Sequence, residues 1–205
     1  KQAEDWLKDP KSIPNSLKNL LSKKGDDKIV KLNNLIASQG VDIATSIAGF
    51  FKSNHSQILG IQGPPGTGKS TITANCVSKL ASYGFKIAIS SNSHSVINNL
   101  LKKIQKILSN QENEVKIFKS ENRKEPNEEL AKKSINTIQT KKVADVISDG
   151  CIIGGTVWAL CLEELKEKFD LLVIDEAGQM SLANLMIMSG CAKSIMLVGD
   201  QRQLS

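Results

Sequence analysis

Arginine is almost missing from this 205-residue chain: only Arg123 and Arg202 occur, although Lys and Arg together number 27. The net charge of +6 is therefore carried by lysine. A basic balance suits a polyanionic partner, but it also arises from biased composition, so charge alone assigns none. Aromatics are scarce, at 4%, which leaves few platforms for stacked bases. No apolar run approaches the roughly 18 residues that span a bilayer, and the polar opening KQAEDWLKDPKS has no signal core. No membrane partner is expected. An initiator Met is absent too, so the sequence reads as a fragment. No pair among Cys76, Cys151, Cys161 and Cys191 has metal-ligand spacing. Buried, reduced thiols of a cytoplasmic protein are expected.

What is present begins with alternation. Residues 1–35 read as a polar helical lead-in broken at Pro10, Pro14 and Gly25, and residues 36–205 as one domain. From Gln57 onward, short β-rich runs alternate with helix-length amphipathic stretches. The runs are Gln57–Gln62, Lys86–Ser91, Val115–Lys119, Cys151–Gly154, Leu171–Asp175 and Ser194–Gly199. Most are continuously apolar, as strands buried on both faces must be. A helix over Ile97–Leu108 sets Ile97, Leu100, Leu101, Ile104 and Leu108 on one face and Lys102, Lys103 and Lys106 on the other. Such alternation predicts an α/β fold: a mostly parallel sheet with helices on both faces. Residues 120–135 are the most polar stretch and are predicted to be a surface insertion.

One turn in this pattern carries chemistry. Gly63-Pro64-Pro65-Gly66-Thr67-Gly68-Lys69-Ser70-Thr71 contains G-x-x-x-x-G-K-S. The glycines let successive amides curl inward around an anion. The loop then opens a helix, predicted over Ser70–Ser82, whose first amides and dipole favour phosphate. Lys69 is placed to reach the β- and γ-phosphates, and the Ser70 hydroxyl to ligate Mg²⁺. A second oxygen ligand and a base for the attacking water are then required. Leu171–Ile174 followed by Asp175 and Glu176 supplies both at a strand's C-terminal edge. We assign Asp175 to the metal and Glu176 to the base. ATP and Mg²⁺ are the implied ligands.

The surroundings narrow the reading. Asp175-Glu176-Ala177-Gly178-Gln179 resembles motif II of superfamily 1 helicases, and Gly199-Asp200-Gln201-Arg202-Gln203-Leu204 is similar to their motif III. Ser38-Gln39, 24 residues before Gly63, matches their adenine-reading Q motif. Ser90-Ser91-Asn92-Ser93-His94 resembles motif Ia, and Gly154-Gly155-Thr156 a later DNA-contacting motif. Asn92-Ser93-His94, Gly155-Thr156-Val157-Trp158 and residues 175–184 are closest to a 5′-to-3′ branch whose bacterial members join a RecB-like nuclease to the helicase. No nuclease motif is present.

This resemblance implies a RecA-like domain that couples ATP hydrolysis to movement on single-stranded nucleic acid, DNA in preference to RNA. It implies Gln39 as adenine reader, Gln203 as γ-phosphate sensor, and Ser91, Asn92, Ser93, His94, Gly155 and Thr156 as nucleic-acid contacts. Several of these have plainer readings: Asn92 and Ser93 as helix N-caps, His94 as a surface histidine, and Trp158 as a core residue rather than a stacking platform. The resemblance also implies a second RecA-like domain after Ser205, supplying the arginine finger worth about 10³–10⁵ in rate. Neither Arg123 nor Arg202 looks placed for that role. The expected behaviour is Mg·ATP binding with slow turnover. The competing readings are a hexameric AAA-type ATPase and a non-catalytic ATP-binding scaffold. An LSGGQ-like transporter signature and the guanine-reading N-K-x-D are both absent.

Overall fold

The computed structural model describes Leu32 and residues 42–110, 115–122 and 127–200. Gln39, Arg123, Gln201 through Ser205, including Gln203, and the lead-in apart from Leu32 lie outside the described residues. Helix α1, Ile43–Ser53, opens this part, with Asp42 accepting from the Thr45 amide at 3.1 Å. No element had been expected there. Its buried Ala44, Ile47, Ala48, Phe50 and Phe51 face the core.

Seven parallel strands follow: β1 Ile58–Gln62, β2 Ile87–Ser90, β3 Ile117–Ser120, β4 Asn136–Ile138, β5 Ile152–Gly154, β6 Phe169–Ile174 and β7 Ala192–Gly199. Their order across the sheet is β1-β7-β6-β2-β5-β3-β4. The expected α/β class holds, and six of the seven strands fall on the expected runs. The seventh, β4, is three residues long and adds to the far edge beside β3. It follows residues 120–135, the stretch expected to be a surface insertion. Leu130, on the short helix α4 (Glu128–Ala131), and Ile135 are both fully buried and anchor that stretch to the core.

Helices α2 (Lys69–Ser82) and α3 (His94–Leu108) cover one face of the sheet together with α1. On α3, Ile97, Leu100, Leu101, Ile104 and Leu108 are all buried, as the helical period requires. Each such side chain contributes about 1.5–3 kcal/mol by leaving water. The other face is covered by α5 (Val157–Leu160), α6 (Leu182–Ser189) and short 3₁₀ turns, with Leu160, Leu165, Met180 and Met188 in its core. This gives three layers. Helix α3 lies so near β5 that a Cβ on Gly154 would sit 2.7 Å from Ile97 Cγ2 and from Leu101 Cδ1.

The register aligns the strand ends. Gln62 pairs with Gly199, Ile174 with both Ser90 and Leu197, Gly154 with Lys119 and Ile89, and Ile138 with Ser120. Every loop that follows a strand therefore leaves from one edge of the sheet. Cys76, Cys151 and Cys191 are buried, and Cys161 is half-buried. Burial pushes the Cys76 and Cys191 thiols up to about 12. Among the described residues, no helix is long and apolar enough to cross a membrane.

Candidate nucleotide site and its neighbouring loops

At that edge, a cleft of about 460 Å³ brings the phosphate loop and the acidic pair together. Pro65, Gly66, Gly68, Lys69, Ser70 and Thr71 form one wall, and Asp175 and Glu176 form another. Pro64 through Gly68 are exposed, so the loop is open to a ligand. Gly66 and Gly68 hold φ of 82° and 84°, a left-handed backbone that glycine adopts without strain. Gly63 sits where a Cβ would lie 2.8 Å from Thr67 Oγ1. That hydroxyl donates to the Pro64 carbonyl at 2.8 Å and closes the curl. Helix α2 starts at Lys69 with Gly68 as a cap that has no side chain to spend on the first amides. Such first-turn amides suit an anion, although the Thr71 amide already donates to the Gly68 carbonyl at 2.9 Å. The Lys69 ammonium lies over the loop, donating to the carbonyls of Gly63 at 2.5 Å and Pro64 at 2.8 Å.

The acidic wall follows from the end of β6. The Asp175 amide donates to Ser90 O at 3.0 Å, which continues the ladder to β2. Asp175 is 8% exposed, and the Glu176 amide donates to its Oδ1 at 3.0 Å. Burial raises the Asp175 carboxyl above the ordinary range; that hydrogen bond and the charges of Lys103 and Lys69 oppose the rise. Glu176 is raised by burial and then by the neighbouring Asp175. Its backbone is left-handed, φ 55° and ψ 41°, which costs a non-glycine residue about 1–3 kcal/mol. The turn aims it away from the strand and into the cleft.

Sequence reasoning missed three polar cleft residues: Asn99, Lys103 and Asp200. Lys103 had been placed on the outer face of α3. Val96, Asn99, Leu100 and Lys103, spaced at i, i+3, i+4 and i+7, form a second stripe beside the apolar one, and all four line the cleft. That spacing was the available signal. Asp200, 9% exposed, follows β7, whose Gly199 carbonyl accepts from the Gly63 amide at 3.4 Å.

The residues expected to touch nucleic acid spread along the next loops. Ser91 is 2% exposed, with its hydroxyl buried and unpartnered, so it faces the interior. Ser93 caps α3, accepting from the Val96 amide at 3.2 Å. The Asn92 carboxamide donates to the Gln179 carbonyl, which ties the loop after β2 to the turn after the acidic pair. His94, with its side chain 56% exposed, turns Nδ1 toward the Lys119 ammonium at 3.0 Å and the buried Glu121 at 3.7 Å. Gly155 is buried and its amide donates to Ile89 O at 2.9 Å. Thr156 is half-buried at the start of α5 and caps no amide there. Trp158 does not enter the core: it is 81% exposed, because the inward positions of α5 are taken by Ala159 and Leu160.

A model of the family described as "AAA domain" matches residues 45–205. The DNA replication ATP-dependent helicase/nuclease DNA2 of Gallus gallus is 28% identical over 152 residues, covering 70% of this chain and 15% of that protein. Its counterpart in Saccharomyces cerevisiae is 27% identical over 150 residues, 70% of this chain and 10% of the relative. The chain thus spans a small part of the curated relatives it matches. The solved structure of a nuclease-deletion mutant of the Type ISP restriction-modification enzyme LlaGI, in complex with a DNA substrate mimic, aligns with a TM-score of 0.49. It is 15% identical over 88% of this chain and 17% of that one.

Proposed function

The chain belongs to the AAA domain family, matched over residues 45–205, and from that premise we propose that it is the ATP-binding motor domain of a superfamily 1 helicase or translocase acting on single-stranded nucleic acid. One observation carries this reading. The uncapped start of α2 and the Asp175–Glu176 pair face each other across one cleft, while Asn92 joins the acidic turn to the next loop along the edge.

ATP is the substrate the cleft fits. The amides that follow Gly66 cradle the phosphates, and Lys69 exchanges its two loop carbonyls for phosphate oxygens. The donor set also fits Mg²⁺: the Ser70 hydroxyl and the Asp175 carboxylate are hard oxygen ligands on opposite walls, and Asp175 is raised by burial in a way that a cation relieves. When bound, the ion neutralises charge developing on the phosphates. Glu176, beside Asp175 and lifted above the ordinary carboxylate range, orients and deprotonates the attacking water.

Gln39 as adenine reader and Gln203 as γ-phosphate sensor complete the proposal from the sequence side. Of the loops expected to meet nucleic acid, His94 and Thr156 present accessible polar side chains, and Asn92 serves as the link. DNA is the preferred strand, since the curated relatives are named as DNA replication helicase/nucleases. That resemblance, together with the Gly199-Asp200-Gln201-Arg202-Gln203-Leu204 run, favours a helicase over a hexameric ATPase. With only two arginines in the chain, turnover by this segment alone is expected to be slow.

The test is thermal. Mg·ATP at 100 times its Kd stabilises a binder by about 2.7 kcal/mol, or roughly 5–11 °C for a chain of this size. Lys69→Ala is expected to abolish that shift. An undiminished shift in the mutant removes Lys69, and with it the phosphate site, from the account.

A further inference from the structure

Trp158 is the barest large apolar side chain among the described residues, at 81% exposure against 59% for Leu182 and 53% for Tyr83. The fold holds it there. Gly155 passes so close beneath α5 that a Cβ on it would sit 3.0 Å from Ala159 Cβ and 3.4 Å from Leu160 Cγ. Ala159 and Leu160 are buried, and Cys161 Sγ donates to the Trp158 carbonyl at 3.7 Å. The inner face of α5 is thereby pinned, and the indole is presented outward on a short, fixed support.

Its place on the sheet edge selects an occupant. Gly154 pairs with Ile89 on one side and Lys119 on the other, so the segment carrying Trp158 emerges between the loop of Asn92 and His94 and the end of β3. Thr156, whose hydroxyl caps no helix amide, lies two residues before it. Two residues separate Cα atoms by at most about 7 Å, a span that a sugar and its phosphate bridge. Aromatic faces bind any base, because every base has a π-face. Beyond α5, a cavity of about 860 Å³ is lined by Thr140 and Lys141 but also by Glu163 and Glu164. That acidic lining makes this side of α5 a poor match for a phosphate backbone.

We propose that Trp158 is a base-stacking platform for single-stranded nucleic acid, with the indole taking one base and the Thr156 hydroxyl the adjoining phosphate. This rests on the motor-domain reading and adds the residue that holds the strand in place between steps.

The test uses the full chain in a Trp6→Phe background, which leaves Trp158 as the only indole. Unlabelled twelve-residue oligothymidylate and oligouridylate are titrated against its fluorescence, and fluorescein-labelled copies against anisotropy. Indole quenching is expected to saturate with the Kd that anisotropy gives. Trp158→Ala should weaken binding about ten- to a hundredfold, Trp158→Phe should recover most of it, and an abasic strand should not distinguish the variants. The DNA and RNA arms show which strand is preferred. Full affinity in Trp158→Ala, or no quenching at saturation, overturns the platform while leaving the motor reading intact. No anisotropy change with any strand overturns both. If Trp158→Ala abolishes self-association seen by light scattering yet binds strands normally, the indole is a protein contact and the proposal fails.

Discussion

Asp175 and Glu176 sit one residue apart but differ in how the chain holds them. Asp175 finishes a buried strand, and Glu176 occupies a left-handed turn that most residues avoid. Both carboxyls are raised, mainly by burial. A carboxyl with a folded pKa above its unfolded one costs stability where it is ionised. The cost is fully present above the folded pKa and fades as pH falls toward the unfolded value. Asp175→Asn is therefore expected to raise the melting temperature at pH 7 without ligand, by roughly 2–4 °C per kcal/mol relieved, and to show a smaller gain at pH 4. It should also lose its response to Mg²⁺. Calorimetric melts at the two pH values check this, and a lower melting temperature at pH 7 would mean that the buried carboxylate is stabilising. The acidic pair was legible in the sequence, because four apolar residues before two acids, downstream of a glycine-rich loop, read as a buried strand meeting an edge. The left-handed turn was not, since no residue type at 176 announces it. Nor was the buried Lys119, whose cation is held by Glu121, His94 and the Ser120 carbonyl. Those partners come from a strand end and a helix start that only the fold brings together.

At the scale of elements, α3 does two jobs. Its apolar stripe seals the sheet, and the neighbouring stripe of Val96, Asn99, Leu100 and Lys103 walls the cleft. The seal depends on close approach: Gly154→Ala would force Ile97 and Leu101 aside and is expected to cost about 1–3 kcal/mol. Chemical denaturation measures it, and an unchanged midpoint would show that α3 can shift freely. The start of α3 also carries the tie between sites. Asn92 donates to the Gln179 carbonyl, the link through which the proposed motor would pass a change in the acidic turn to the next loop along the edge. Asn92→Ala is expected to leave Mg·ATP affinity within about twofold while reducing the effect of bound Mg·ATP on single-stranded DNA affinity about tenfold, a loss of about 1.4 kcal/mol of coupling. An equal effect in wild type and mutant would dismiss the tie. Sequence periodicity found α3 and six strands because each is long or strongly patterned. It missed β4, whose three residues Asn136, Thr137 and Ile138 follow a polar stretch and gain their place only by pairing with β3. It missed α1 as well, although Asp42 stands as a cap before it.

Across the whole molecule, one arrangement organises everything: parallel strands in the order β1-β7-β6-β2-β5-β3-β4 bring each connecting loop to the same edge. The glycine-rich loop leaves β1, Asp175 and Glu176 follow β6, and the polar loops leave β2 and β5. Ligands gather at such an edge because the dipoles and free amides of the helices that follow point there. The order of motifs along the chain allowed this to be inferred, but not which residues reach the surface. Ser91 and Gly155 lie inside and Trp158 lies outside, a sorting set by helix packing rather than by residue type.

The central claim is that the phosphate loop and the acidic pair hold a single magnesium-bound triphosphate. A double-mutant cycle in the Mg²⁺ dependence of ATP binding, measured by titration calorimetry on Ser70→Ala, Asp175→Asn and the double mutant, tests it directly. If both oxygens serve one ion, each single mutant should lose most of the Mg²⁺ enhancement and the double mutant should lose little more. Losses that simply add, or an enhancement that survives in Asp175→Asn, would place the two residues on separate sites and contradict the account.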